Sequence, residues 1–275
     1  MYKQQVFNFK NSTEYEFYWE GYTGQKKERA EKRKATPEQI MYQNRRNKIT
    51  KLRRTIKKNF EAGDLFVTLT YAPGEKKTIE EAQADFKALC NRLRKTYKKS
   101  GDPFKWIRVI EVGKRGSVHI HLITNRTLRS ADLINKYWVH GHPNFKYLYE
   151  EGDYQLLSEY MTKAEYDQEG NLLPTDKSRY NYSTSRNLVR PEPDEVKRYA
   201  HWTMARIIRN GLKAKPGYYI DKASVKMGIN KVTGKSYLYY TERKIDGRDD
   251  LHSPGETWTI EEKWRDLYHS RGSDE

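Results

Sequence analysis

The chain has a single cysteine, Cys90, among its 275 residues. One cysteine cannot form an internal disulfide, and it also excludes zinc sites that are built from several thiolates. Any metal ligands must therefore come from histidines and carboxylates. Cys90 falls at a core position of a predicted helix, where we expect it to be a small buried hydrophobic residue.

Long apolar runs are also missing. Hydrophobic residues make up 36% of the chain, and the mean hydropathy is -1.06. No stretch approaches the run of about 18 apolar residues that a membrane span requires. The N-terminal sequence MYKQQVFNFKNSTEYEF lacks the apolar block of a secretory signal peptide. We therefore expect a soluble cytoplasmic protein with no membrane partner.

Positive charge is abundant. The formal net charge is +16, and residues 1–63 carry 16 Lys and Arg against 7 Asp and Glu. Such an excess favours a polyanionic partner, because each neutralised phosphate releases counterions. A basic surface that serves only solubility is the alternative. The 22 tyrosines and 6 tryptophans could stack on unpaired bases, although most aromatic rings in a chain belong to its core.

The hydrophobic pattern predicts an α+β fold: a mostly antiparallel sheet with helices packed on it. Thr36 and Pro37 fit the N-cap and first position of a basic amphipathic helix that ends near Gly63. Thr78 caps a second helix, and a third covers roughly residues 153–166. A later helix is predicted over 193–211, followed by two tyrosine-rich strands around the turn NKVTGK.

Three segments follow from this order of elements. Residues 1–63 are predicted to form a basic helical extension, and residues 64–190 the core. Residues 191–275 are predicted to add a C-terminal helix and a hairpin packed on that core.

Two histidines stand on alternate positions of an apolar strand in RVIEVGKRGSVHIHLITN. Alternate strand residues share a face, so His119 and His121 point to the same side. If the strands FKWIRVIEV and SVHIHLIT form a hairpin centred on Arg115, Glu111 lies opposite His119 on that face. Two imidazoles and one carboxylate are a suitable ligand set for Mg²⁺ or Mn²⁺. Without a metal, the histidines would be half-exposed strand residues facing solvent or a helix.

The segments FVTLTY, HIHLI and YMTK follow one another between residues 66 and 163. Together they resemble the three motifs of HUH endonucleases, in particular the single-tyrosine initiators of rolling-circle replication in plasmids and small single-stranded DNA phages. The later text RYNYSTSRNLVRPEP is similar to the region that follows the nucleophile helix in such initiators. The resemblance covers roughly the central 120 residues and implies an HUH/RRM-like palm.

The resemblance implies a DNA-nicking and joining enzyme that acts at a replication origin on single-stranded or hairpin DNA in a bacterial host cell. Tyr160 would be the nucleophile and form a 5′-phosphotyrosine link, with Lys163 on the same helical face. Lys163 and Ala164 occupy the positions where a second alternating tyrosine would be expected, so one nucleophile is predicted. Tyr154 and Tyr166 lie near enough to remain competitors.

No nucleotide cofactor is expected. In GINKVTGKS, five residues separate Gly228 from Gly234, where a phosphate-binding loop has four. Because no helicase ATPase segment follows, a host helicase would unwind the DNA and a host polymerase would extend it. A second histidine pair, His140 and His142 in HGHPN, surrounds a glycine and precedes a proline, which favours a turn.

Basic residues of the first helix, the hairpin turn and the late polar segment are candidate DNA contacts, although a charged helix face can also be simply solvated. They are Arg45, Arg46, Lys51, Arg53, Arg54, Lys114, Arg115 and Arg186. Two other readings stay open. One is a relaxase or transposase of the same chemistry, although relaxases usually place the tyrosine before the histidines. The other is a non-catalytic, basic protein that binds single-stranded nucleic acid.

Overall fold

The computed structural model describes residues 1–21, 36–113, 116–149, 151–163, 182–200, 204–230, 233–245 and 257–258. The chain divides into two compact units. We call Thr36–Pro191 the central unit, and Met1–Ala35 together with Glu192–Glu275 the terminal unit. Each unit has its own antiparallel sheet, which confirms the predicted α+β class.

The central unit contains the elements that carry the predicted motifs. Its helices are α1 (Pro37–Asn59), α2 (Ile79–Lys99), α3 (Ser130–Tyr137) and α4 (Gln155–Thr162), and a 3₁₀ turn (Glu151–Tyr154) precedes α4. Its strands are β3 (Leu65–Thr70), β4 (Trp106–Val112), β5 (Val118–Thr124), β6 (Pro143–Tyr147) and β7 (Ser183–Thr184). They form one sheet in the order β6-β3-β5-β4-β7, with β5 between β3 and β4.

Both faces of this sheet are covered by helices. Strand residues such as Val67 and Ile120 pack against α2 and α3. Residues of the opposite face, such as Ile107 and Ile123, pack against α1 and α4. Because side chains alternate along a strand, the odd-numbered positions of β5 belong to the face under α1 and α4. His119 and His121 are on that face.

The beginnings of the two long helices agree with the sequence. Thr36 and Thr78 are N-caps, and each forms a capping box with the side chain three residues later. Helix α1 ends at Asn59, a few residues before Gly63, which has φ +89°. The apolar stripe of α2 is buried, and Cys90 is buried within it, as predicted. Residues 164–166 of the predicted third helix lie outside the described residues.

The terminal unit combines both ends of the chain. Its strands are β1 (Tyr2–Asn8), β2 (Ser12–Trp19), β8 (Glu195–Tyr199), β9 (Leu212–Lys213), β10 (Tyr218–Ile229), β11 (Ser236–Lys244) and β12 (Thr257–Trp258), and its helix is α5 (Met204–Asn210). Five of these strands form a sheet in the order β10-β11-β2-β1-β8, and β9 pairs with β12. The predicted tyrosine-rich hairpin is confirmed as β10 and β11.

Two predictions about this unit were wrong. The first residues form the strands β1 and β2 rather than part of the predicted helical extension. Within the helix predicted over 193–211, Glu195–Tyr199 is a strand, and only Met204–Asn210 is helical. Strand β8 pairs with β1, almost two hundred residues earlier in the chain, and such tertiary pairing overrides local helix preference.

The division of the chain also differs from the predicted segments at the N-terminal side. Residues 1–63 do not form one extension, because β1 and β2 belong to the terminal unit and α1 to the central unit. Helix α1 contributes the fully buried Leu52 and Ile56 to the core under the sheet. The basic helix is therefore a structural part of the central unit.

Candidate functional site

The histidine strand has the register that the sequence predicts. Across the β4–β5 ladder Glu111 lies opposite His119, and on the other side of β5 Thr68 lies opposite His121. Directly opposed residues of an antiparallel pair share a face, so these side chains lie on the same side of the sheet. The open end of this face, beyond the buried core under α1 and α4, is the candidate site.

His121 is the centre of the site. The residue is 6% exposed, and its Nε2 lies 2.8 Å from Oε2 of Glu111. A carboxylate can only accept hydrogen bonds, so in this pairing Nε2 carries the proton and donates it. The Thr68 hydroxyl, 3.2 Å from Nδ1, can then donate to the second ring nitrogen. The Phe66 ring stacks on the imidazole with centroids 5.9 Å apart. The ring of His121 is thus held from three sides.

Helix α4 brings Tyr160 to this imidazole. The Tyr160 hydroxyl oxygen is 2.9 Å from Nε2 of His121, and the two rings meet edge to face with centroids 5.0 Å apart. The neighbouring Met161 is fully buried and anchors the helix in the core, whereas Tyr160 is 43% exposed. The phenol therefore contacts the histidine and remains accessible from solvent.

Lys163 ends α4 and completes the cluster. Its ammonium is 2.6 Å from Oε2 of Glu111 and 4.2 Å from the centroid of the Tyr160 ring. The residue is the C-cap and has a left-handed backbone with φ 52°. Its carbonyl accepts a hydrogen bond from Arg45 of α1. Cation, phenol and carboxylate are consequently in direct contact.

The environment sets the charges of these groups. Burial acts to raise the pKa of Glu111, but hydrogen bonds from Lys163 and His121 outweigh it, so the pKa is lowered. Burial lowers the pKa of His121, although Glu111 opposes this effect. Burial, together with the charge of Glu111, raises the pKa of Tyr160. At neutral pH the site thus contains a carboxylate, a neutral imidazole and a protonated phenol.

His119 is placed differently from His121. Its Nε2 lies 3.2 Å from the Ser117 hydroxyl, and its buried Nδ1 has no hydrogen-bond partner within the described residues. No group of three or more His, Cys, Asp or Glu side chains in the described ranges is arranged to hold a metal ion. The structure thus brings Glu111 and His121 together but does not join His119 to them as a third ligand.

The three predicted ligands nevertheless suit a divalent cation in their chemistry. Metal ligands must be deprotonated carboxylates or neutral imidazoles, and the lowered pKa values of Glu111 and His121 provide both. The unpartnered Nδ1 of His119 is a further potential donor on the same face. In the structure, the positive charge that pairs with the Glu111 carboxylate is the ammonium of Lys163.

The predicted DNA contacts lie in different environments. Arg53 pairs with Asp153, Arg54 is buried, and Arg46 stacks over the Tyr42 ring. Lys51 and Arg186 are exposed, and Arg45 holds the Lys163 carbonyl as described above. Lys114, Arg115 and the competing Tyr166 lie outside the described residues. Tyr154, the other competitor, is only 5% exposed and packs in the core under the sheet.

The second histidine pair lies apart from this cluster. His140 and His142 fall in a bend between α3 and β6, in agreement with the predicted turn. Nε2 of His140 is 3.5 Å from Oδ1 of Asp85, and Oδ2 of Asp85 accepts a hydrogen bond from the Tyr71 hydroxyl. In the bend, a side chain at Gly141 would collide with the carbonyl of Thr70, because its Cβ would lie only 2.3 Å from that oxygen. Glycine is thus required there.

Sequence reasoning missed three residues that position the site. They are Phe66 and Thr68, which support the His121 ring, and Ser117, which binds His119. A signal for the first two was present, because Phe66, Thr68 and Thr70 alternate along FVTLTY and must share one face. Ser117 lies at the end of the hairpin turn, where no pattern indicates a partner.

None of the described helices is long and apolar enough to cross a membrane. Residues 64–165 match the family model for replication-associated protein ORF2/gene 2 protein. This match covers less than half of the chain and includes Glu111, both strand histidines, Tyr160 and Lys163. No curated protein and no solved structure matches the chain significantly. The match indicates a role in DNA replication.

Proposed function

We propose that this protein is a single-tyrosine HUH-type endonuclease that nicks and rejoins single-stranded DNA at a replication origin and thereby initiates rolling-circle replication. The observation that carries the proposal is the contact of an accessible phenol with His121 and Lys163, inside the segment that matches replication-associated proteins. The neighbouring carboxylate and second histidine support the same chemistry.

Tyr160 would attack the scissile phosphorus through its hydroxyl oxygen. The new bond joins this oxygen to phosphorus, and the bond from phosphorus to the 3′ oxygen breaks. The phenol proton leaves to the surrounding groups or water, and the departing 3′ oxygen takes up a proton. The products are a 5′-phosphotyrosine and a free 3′-hydroxyl that a host polymerase could extend after a host helicase unwinds the duplex. Because the phosphodiester linkage is conserved in the phosphotyrosine, rejoining requires no nucleotide cofactor.

Lys163 would stabilise the reacting anions. Its ammonium lies over the Tyr160 ring, where it favours ionisation of a phenol whose pKa is otherwise raised by burial. The same group could contact the scissile phosphate. Phe66 and Thr68 hold the His121 ring in position beside the attacking oxygen. These residues orient the phenol for an in-line attack.

A divalent cation, Mg²⁺ or Mn²⁺, would be held by Glu111, His119 and His121 within this proposal. When bound, such an ion withdraws charge from the phosphate oxygens and stabilises the crowded transition state. Glu111 now binds the Lys163 ammonium, so an ion held there would compete with it, and a displaced ammonium could contact the phosphate or the phenol. The exposed Lys51 and Arg186 would contribute contacts to the DNA backbone.

The test is the formation of a covalent adduct. The protein is incubated with a single-stranded oligonucleotide that carries the origin beside its coding region, in Mn²⁺ or in EDTA, and analysed on a denaturing gel. We expect an adduct in Mn²⁺ only, and none with Tyr160→Phe. Binding that weakens with salt but never yields an adduct would refute nicking and support a non-catalytic single-strand-binding protein.

A further inference from the structure

A cleft of about 430 Å³ lies along one side of α1. It is lined by Asn44, Asn47, Lys48, Lys51 and Tyr182. The four helix residues follow at spacings of three and four, so they face the same direction. The cleft is open to solvent, so a ligand bound there would stay partly exposed. The lining that the structure describes contains two cations and no carboxylate, which suits an anionic ligand.

An aromatic ring and an ammonium lie together in the cleft. The Nζ of Lys48 is 5.8 Å from the centroid of the Tyr182 ring. A tyrosine ring can stack on a nucleic-acid base, and a nearby lysine can bind its phosphate. Burial and the charge of Arg45 both lower the pKa of Lys48, so a bound anion would relieve the repulsion between these cations. The pair therefore has the chemistry of a nucleotide site.

Two amides, of Asn44 and Asn47, add hydrogen-bonding groups. The Gln43 side chain donates to Oδ1 of Asn47 at 2.8 Å, which fixes the Asn47 amide and leaves its NH₂ group as a donor. Asn44 is exposed, and its amide has no hydrogen-bond partner among the residues described. Asparagine amides form specific hydrogen bonds with base edges. The two amides thus supply groups that could hydrogen-bond with a base edge.

The cleft adjoins the catalytic helix. Arg45, the residue after Asn44, holds the carbonyl of Lys163 at the end of α4. Lys48 lies less than one turn further along α1, close enough to Arg45 for the two charges to interact. A DNA strand that passes the Tyr160 phenol could therefore continue along this side of α1.

We propose that this cleft binds one unpaired nucleotide of the DNA strand that flanks the cleaved phosphate, and that Asn44 and Asn47 read its base. The inference rests on the proposed function, because that function supplies the single strand. Tyr182 stacks on the base, and Lys48 and Lys51 bind the adjoining phosphates. The cleft is thus a determinant of the nicked sequence.

The experiment separates base reading from nicking. The Tyr160→Phe protein keeps the fold but cannot form the adduct. It is used to select bound sequences from a library of randomised single-stranded oligonucleotides, and the enriched oligonucleotides are sequenced. The same selection is repeated with Asn44→Ala and Asn47→Ala added. We expect one position to lose about tenfold of its base preference, while preferences at other positions persist. Asn91→Ala, an exposed asparagine of α2, is the matched control and should change nothing.

The lining lysine and tyrosine are tested by affinity for the enriched oligonucleotide. Lys51→Gln should weaken binding of all sequences alike and reduce the salt slope by about one, whereas Lys95→Gln on α2 should not. Tyr182→Phe should keep the affinity because it retains the ring, and Tyr182→Leu should lower it about tenfold. The retained affinity of the phenylalanine variant shows that the ring and not the hydroxyl is needed, and an unchanged Tm of the leucine variant shows that its loss of affinity is not misfolding.

Two results would overturn the inference. One is a Tyr160→Phe protein that enriches no base at any position, and the other is an enrichment that the two asparagine substitutions leave unchanged. The proposed function is judged separately by adduct formation with the unaltered Tyr160. Nicking without base reading by the cleft therefore refutes only this inference, and base reading without nicking refutes only the enzyme.

Discussion

Replacing Lys163 by methionine removes the ammonium but retains most of the length of the side chain. The lost contacts are the ion pair with Glu111 at 2.6 Å and the position over the Tyr160 ring at 4.2 Å. A surface ion pair contributes about 0–1 kcal/mol, and breaking a buried one costs about 3–5 kcal/mol. The side chains of Lys163 and Glu111 are 17% and 25% exposed, so this pair falls between the limits. We expect a loss of about 2 kcal/mol in the free energy of unfolding.

The loss is measurable in two assays. A destabilisation of this size lowers Tm by about 4–8 °C for a chain of this length. Removing one preorganised charge from the reacting atoms should slow adduct formation by about 100- to 1,000-fold in single-turnover experiments. The pKa of Glu111 should rise, because a hydrogen bond that lowers it is gone.

Two variants serve as controls. Lys163→Arg keeps the charge and should recover part of the rate. Lys3→Met removes an ion pair with Glu20 in the terminal unit and should leave adduct formation unchanged. If Lys163→Met forms the adduct as fast as the unaltered protein, Lys163 does not act on the phenol and the assignment of its role is refuted.

Three other predictions follow from the structure. Because the pKa of Tyr160 is raised, little phenolate exists near neutrality. The rate of adduct formation should therefore increase about tenfold per pH unit between about pH 7 and 9. A rate that does not change over this interval contradicts phenol ionisation as the limiting step. His119→Ala or His121→Ala should abolish nicking but leave DNA affinity, measured by anisotropy, within about threefold, since phosphate contacts elsewhere supply most of the affinity. An equal loss of binding would argue against a metal role. Leu52→Ala, at a fully buried position of α1, should cost about 2–5 kcal/mol in denaturant unfolding, whereas Leu128→Ala, at a fully exposed position, should stay within about 0.5 kcal/mol.

The site was more predictable from the sequence than the overall architecture. The register of Glu111 with His119 followed from a short turn and strand alternation, and both are local properties. The capping residues Thr36 and Thr78 defined the starts of α1 and α2 for the same reason. The contact of Tyr160 with His121 required the resemblance to a known family, because the two residues are 39 positions apart and no local rule joins them.

Apart from the β10–β11 hairpin, the terminal sheet was not predictable in this way. The pairing of β1 with β8 joins residues almost two hundred positions apart, and such pairings leave no mark in the local pattern. The sequence EVKRY was consequently assigned to a helix that continues into α5. The pairing of Arg53 with Asp153 was also missed, since a basic helix face gives no sign of an acid a hundred residues further along.

Helix α4 is flanked in the sequence by two residues whose backbone geometry is unusual. Tyr154 before it and Lys163 after it have φ of 57° and 52°, and neither is a glycine. These left-handed residues mark the two ends of the eight-residue helix. The direction in which the Tyr160 hydroxyl points then depends on how many residues separate Tyr160 from these two ends. Each residue of a helix turns by about 100°, so a single insertion ahead of Tyr160 would swing the hydroxyl away from the sheet while the helix itself stayed intact.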